Sequence, residues 1–237
     1  MVAVILSACG SHGRGEGSSP DAGARANAPR EEASWTGLSL VLQPDPAQGE
    51  LGVEVSLTGS AAAAVSQLSV ARAWAGTHGV DAVRAFEIGD GEGALPVSPG
   101  EDDAEDRRFA LRRRAAGGRL LLRYRARADL SPSRFGLHLG PDRLSAVGHA
   151  FLLLPRFEAP LPVRIRWKLD ALPAGAGAAS SFGAGVEVTT QASSEELAHA
   201  VYLAGPLRVE APRDATTGDA GPPEASSQLA VLGAPVF

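Results

Sequence analysis

The 237-residue chain contains one cysteine, Cys9, and one lysine, Lys168. A single thiol can form neither an internal disulfide nor a cysteine-rich zinc site. Aromatic residues make up only 5% of the sequence, so aliphatic side chains have to fill most of any core. No apolar run approaches the roughly 18 to 20 residues that a membrane-spanning helix needs. Nor is there an excess of positive charge: the formal net charge is −5, which gives no general attraction to nucleic acid or anionic lipid. The preference for Arg over Lys reads as a coding bias and carries no function.

With 44% hydrophobic residues, the chain can build one sizeable all-β domain or two small ones. Its 28 Gly and 17 Pro point to many turns and large loops. From residue 35 onward the apolar pattern has period two. Leu51, Val53, Val55 and Leu57 alternate with polar residues or glycine, the signature of a strand with one buried and one wet face. The same alternation recurs at Leu120, Leu122, Tyr124 and Ala126 between arginines, and at Val163, Ile165, Trp167 and Leu169 between Arg164, Arg166 and Lys168. Shorter strands are expected at 38–42, 67–71, 85–88, 109–112, 151–154, 186–189, 207–210 and 229–232. Many short strands between turns predict an all-β fold, an antiparallel β-sandwich with one short helix. That helix is announced by Ser193 and Glu196 as a capping box, followed by Leu197, Ala200, Val201 and Ala204 at helical spacing until Gly205-Pro206. The polar, Pro/Gly-rich segment 211–227 reads as a loop before a last strand near 229–237.

Residues 1–34 read differently from 35–237, the β-sandwich domain. Leu6-Ser7-Ala8-Cys9 resembles the lipobox of bacterial lipoproteins, whose cysteine is lipidated and becomes the mature N-terminus. The Gly-, Ser-, Ala- and Pro-rich stretch that follows suits a flexible tether. As written the signal is truncated, because only Val2 to Leu6 precede the box and no basic residue does. The expectation is lipidation at Cys9, a start upstream, and a protein anchored to the bacterial cell envelope on its extracytoplasmic side, with the membrane as a partner through the lipid.

The order of the pieces in the remainder, Val80 to Val97 (VDAVRAFEIGDGEGALPV is the 80–97 region from Val80), Gly118 to Arg127 (GRLLLRYRAR), Gly148 to Arg156 (GHAFLLLPR) and Val163 to Leu169 (VRIRWKL) followed by SSFGAG and LAG, resembles the N-terminal β domain of the glycyl aminopeptidase family of zinc metallopeptidases. Each piece alone is weak; their order across residues 35–237 carries the likeness. The resemblance implies a catalytic zinc in a separate, following domain that bears an H-E-x-x-H helix. This sequence contains no such segment, so the resemblance implies a non-catalytic module or a truncated piece of a longer aminopeptidase, without cofactor here, whose partner is a peptidase domain or an envelope protein. The alternative is a free-standing envelope lipoprotein that binds a protein or glycan.

Other features favour plain structural roles. His138 and His149 flank Asp142 and are metal ligands by type, but their spacing suits loop or strand residues bonded to backbone or water. Ser7, Ser180 and Ser181 lack a G-x-S-x-G context. Gly175 to Ser180 approaches a dinucleotide fingerprint but leads toward a strand-like segment, whereas that chemistry needs a helix N-terminus, so a flexible loop is expected. The acidic run 101–106 lacks the turn glycine and terminal glutamate of an EF-hand and reads as a solvated hairpin loop. The arginine faces of 119–127 and 164–168 would make a cationic surface if the two strands were neighbours; pairing with carboxylates is expected. Nucleic acid would also want aromatics among those arginines, and Tyr124 is expected to face inward.

Overall fold

The computed structural model describes residues 35–210 and 230–232. Cys9, the 1–34 tether, the 211–227 loop and most of the 229–237 strand lie outside the described residues.

Seven strands form the larger layer: β1 (Leu38–Asp45), β2 (Glu50–Thr58), β4 (Val83–Asp90), β5 (Gly93–Ala94), β8 (Arg119–Arg127), β12 (Leu161–Trp167) and β15 (Glu187–Ala192), in the order β15-β12-β1-β2-β8-β4-β5. The predicted alternation is realised on β2, β8 and β12, where every second side chain is buried. Tyr124 faces inward as expected. All pairs in this layer are antiparallel except β1 with β12, which run parallel with Leu40 opposite Ile165. A parallel neighbour needs a long crossover, and here the intervening chain supplies it while building much of the other layer.

That second layer consists of two smaller sheets. One contains β3 (Gln67–Ala71), β6 (Val97–Pro99), β7 (Asp106–Leu111) and β11 (Leu153–Pro155) in the order β11-β3-β7-β6. The other contains β9 (His138–Leu139), β10 (Leu144–Val147), β13 (Gly177–Ser180), β14 (Gly183–Ala184) and β16 (Val201–Gly205) in the order β14-β13-β16-β10-β9. A separate pair joins β17 (Arg208–Glu210) to β18 (Ala230–Leu232). The core lies between the layers. Phe86 of β4 meets Phe109 of β7 edge to face at 5.0 Å, Phe151 meets Tyr202 at 5.3 Å, and the Leu153 N–H donates to the Tyr124 hydroxyl at 2.9 Å. The fold is the expected all-β sandwich.

Several local expectations need correction. Three short α-helices are described instead of one: α1 (Ser60–Ala64), α2 (Gly79–Ala82) and α3 (Ser194–His199). The capping box of α3 is present in full, yet the helix stops at His199. Ala200 is extended, and Val201–Gly205 becomes β16, paired on both sides by β10 and β13. Two flanking ladders and the burial of Tyr202 outweigh a helical repeat of small residues. The expected loop at 175–180 is a turn at Gly175 followed by β13, and no helix follows it. The β12 strand ends at Trp167, leaving Leu169 outside it, and Phe151 falls just after a 3-10 turn, with β11 starting at Leu153. The acidic run is the connection of the β6–β7 hairpin, as expected.

Candidate functional site

Three segments distant in sequence converge beside the β3–β11 edge. The first is a tight turn closed by Trp74 and Thr77, which exchange backbone hydrogen bonds at 3.0 and 2.7 Å. Ala75 adopts a left-handed φ of 47° there, and its carbonyl accepts from the Ser133 hydroxyl at 2.7 Å, while the Gly76 carbonyl accepts from Ser131 at 2.6 Å. A strained turn held at two successive carbonyls by side chains from another loop makes a stiff mount for the Trp74 indole. The second segment is the 3-10 turn at Gly148–Ala150, which carries His149; the third is α3, which ends in His199. Two glycines let these backbones close. A Cβ on Gly148 would lie 2.3 Å from the Leu197 carbonyl oxygen, and one on Gly79 would lie 2.4 Å from that of His149.

The rings therefore pack tightly. Trp74 stacks on His149 with centroids 4.7 Å apart, His199 stands perpendicular to His149 at 4.4 Å, and Phe135 meets Trp74 edge-on at 5.5 Å. The His149 Nε2 is buried without a hydrogen-bond partner. Burial, together with the neighbouring His199, pushes the His149 pKa down to about 4, so this imidazole is neutral at physiological pH. The Nδ1 of His199 lies 3.0 Å from the Glu195 carbonyl oxygen. Alongside the rings runs a cleft of about 360 Å³ whose polar lining includes Glu105, Asp106, Arg156 and Glu195.

Among the described residues no hydroxyl or thiol hydrogen-bonds to His149 or His199. Of the three serines that line the cleft, Ser193 serves the helix cap and Ser194 bonds to the Phe157 backbone. The arrangement does not place an activated nucleophile beside either imidazole among the described residues. Nor do three or more His, Cys, Asp or Glu side chains gather as a metal site among the described residues. His138 does not join His149: its Nδ1 faces Asp129 at 3.2 Å and its Nε2 the Ser133 carbonyl at 2.7 Å, while Asp142 pairs with Arg143. Trp74 and His199 carried no sequence signal, because only the packing of three separate segments brings them to His149.

A second hollow, of about 400 Å³, lies on the outer face of the large sheet. The two arginine-bearing strands are not neighbours, since β1 and β2 separate β12 from β8. Arg123 pairs with Glu54 at 2.8 Å, and Arg125 reaches Asp45 and Glu50 at 3.3 and 3.5 Å. The face neutralises itself, in line with the expected pairing with carboxylates. The acidic loop does likewise: Asp102 pairs with Arg107 and Arg72, and Asp103 with Arg108.

No family model matches the sequence, and no curated protein matches it. Solved structures do resemble the fold. The match to an aminopeptidase N family protein from Idiomarina loihiensis has a TM-score of 0.57 at 13% identity and covers 76% of this chain and 31% of that one. An M1 zinc metallopeptidase from Deinococcus radiodurans matches at 21% identity and a TM-score of 0.45, over 77% of this chain and 44% of that one. A variant of a two-domain M1 zinc metallopeptidase bound to L-tryptophan gives 21% identity and a TM-score of 0.46, with 77% and 45% covered. At such identities the Idiomarina likeness is one of fold, and the chain spans under a third of that protein's length.

Proposed function

We propose that the chain is a non-catalytic β-sandwich module of the kind that precedes the catalytic domain in glycyl aminopeptidase-like zinc metallopeptidases, held at the bacterial envelope by a lipid on Cys9. The observation that carries the first half is the Idiomarina match, in which most of this chain superposes on a minor part of a longer aminopeptidase-family protein. The sequence adds that no H-E-x-x-H segment is present, so the family's means of holding zinc and activating water is not built from these residues. The anchor rests on Leu6-Ser7-Ala8-Cys9 and the tether-like composition after it. The module's partner would then be a peptidase domain or another envelope protein.

The test uses the protein from its native host and the purified 237-residue chain. The former should partition into detergent and carry the mass of a diacylglyceryl group, and Cys9→Ser should release it. The latter should hold no stoichiometric zinc and free no amino acid from glycyl or alanyl peptides. A soluble, unmodified Cys9 protein overturns the anchor; one zinc per chain with a chelator-sensitive aminopeptidase activity overturns the module.

A further inference from the structure

The edges of the sheets differ in length. Among the described residues β5, β9 and β14 are two residues long and β6, β11, β17 and β18 three, with Pro99 in β6 and Pro155 in β11. Short edge strands and proline are means by which proteins keep a sheet from pairing with another chain. The remaining edge, β15, has neither. It runs for six residues, Glu187–Ala192, in unbroken antiparallel register with β12, and contains no lysine.

Its backbone groups point two ways. The Trp167 N–H donates to the Val186 carbonyl at 2.8 Å, whereas the Lys168 N–H turns the other way, to the Leu42 carbonyl of β1 at 2.9 Å. By the alternation of an antiparallel ladder, Val188 and Thr190 therefore bond to Ile165 and Val163, their register partners. The N–H and C=O groups of Glu187, Thr189 and Gln191 point out from the sheet. Among the described residues these groups have no backbone partner, and the Gln191 carbonyl receives the Thr190 hydroxyl at 3.4 Å. All three residues are exposed.

We propose that a second copy of the chain pairs with this edge, β15 against β15, antiparallel about a two-fold axis at Thr189. This register engages every outward residue, with Glu187 opposite Gln191 of the other copy and Thr189 opposite Thr189, about six hydrogen bonds in all. An axis at Val188 or Thr190 would set an outward residue against Gly185 or Ser193, whose N–H groups already donate to Ala178 and Glu196. An axis at Glu187 would oppose two carboxylates. About Thr189 the strand complements itself: the Gln191 amide faces the Glu187 carboxylate, the two threonine hydroxyls meet, and Val188 lies across from Thr190 on the other face. Glu187 keeps its own guanidinium neighbour, Arg164, at 3.6 Å and meets no second carboxylate across the axis. Because a two-fold contact uses the same patch on both copies, assembly closes at a dimer.

The test is sedimentation velocity of the purified full chain from about 5 to 500 µM, with amide hydrogen exchange at both ends of that range. A monomer–dimer equilibrium is expected, with a dissociation constant on the order of 10 to 100 µM, as suits a small interface. The Thr189 and Gln191 amides should gain protection at the high concentration, while those of Val188 and Thr190, bonded to β12, are protected at both. Gln191→Glu sets carboxylates opposite each other twice and should weaken the dimer several-fold, whereas Gln191→Lys sets an ammonium opposite Glu187 and should tighten it. Thr189→Pro, which removes the N–H on the axis, should abolish it. The Gln191 side chain is exposed, so its two variants keep the fold, which circular dichroism verifies, and they decide the matter even where the proline variant is unstable. Four results would overturn the proposal: a monomer throughout the range; a dimer equally strong in both Gln191 variants; Thr189 and Gln191 amides as protected at the low concentration as at the high, which would mean that another segment of the chain lies on the edge; or growth beyond a dimer.

Discussion

His149 is the side chain whose chemistry the fold alters most. Its ordinary pKa of 6.5 falls to about 4 because the ring is largely taken out of water beside Trp74 and faces His199. Between these two values the unfolded chain binds a proton that the folded chain refuses. The resulting stabilisation is complete above about pH 6.5, declines as the pH falls, and is gone below about 4. Because the ring is partly exposed, solvent screening reduces the full linkage to the order of 1 to 2 kcal/mol. Urea unfolding of the wild type and of His149→Gln at several pH values should show the wild type losing stability relative to the variant across that window. A difference independent of pH would mean that the imidazole is hydrated in the native state. Nothing at His149 in the sequence announces this, since the ring owes its environment to Trp74 and His199, which arrive from other segments.

At the scale of elements, α3 shows what a local pattern can and cannot specify. Its start is written in four residues. The Ser193 side chain accepts from the Glu196 N–H at 3.2 Å, and the Ser193 N–H donates to the Glu196 carboxylate at 2.7 Å. Ser193→Ala should cost about 1 kcal/mol, as loss of a cap does, whereas Glu196→Gln should cost only a few tenths because glutamine also closes a capping box. Chemical denaturation of the two variants distinguishes them, and equal losses would place the value of the motif in the carboxylate. The end of the helix is not written locally. Leu197, Ala200, Val201 and Ala204 fit a helical face, yet from Val201 onward it is the ladders offered by β10 and β13 that choose a strand. The strands β2 and β8 were legible throughout, because one face of each is buried and the alternation of side chains follows directly.

For the whole molecule, what matters is how the layers are joined. Tyr124 sits in the middle of β8 with its ring in the core, and its hydroxyl accepts the Leu153 N–H from the opposite layer. Burial raises the phenol well above its ordinary range, so it stays protonated. Tyr124→Phe keeps the ring but leaves a buried N–H without its partner, which should cost about 1 to 3 kcal/mol, measured as a lower unfolding midpoint. An unchanged midpoint would show that water replaces the hydroxyl and that the layers are joined by apolar packing alone.

The sequence by itself determined the class of the fold and the faces of its main strands. Period-two burial is a property of each strand alone, and so is the capping chemistry that begins α3. Tertiary structure alone decided that β1 lies parallel to β12, that the arginine-bearing strands stand apart, and that Trp74, His149 and His199 form one ring cluster beside a cleft. These are relations between segments far apart in the chain, fixed by sheet order and by glycines that let backbones touch, and no residue's neighbours in sequence carry them.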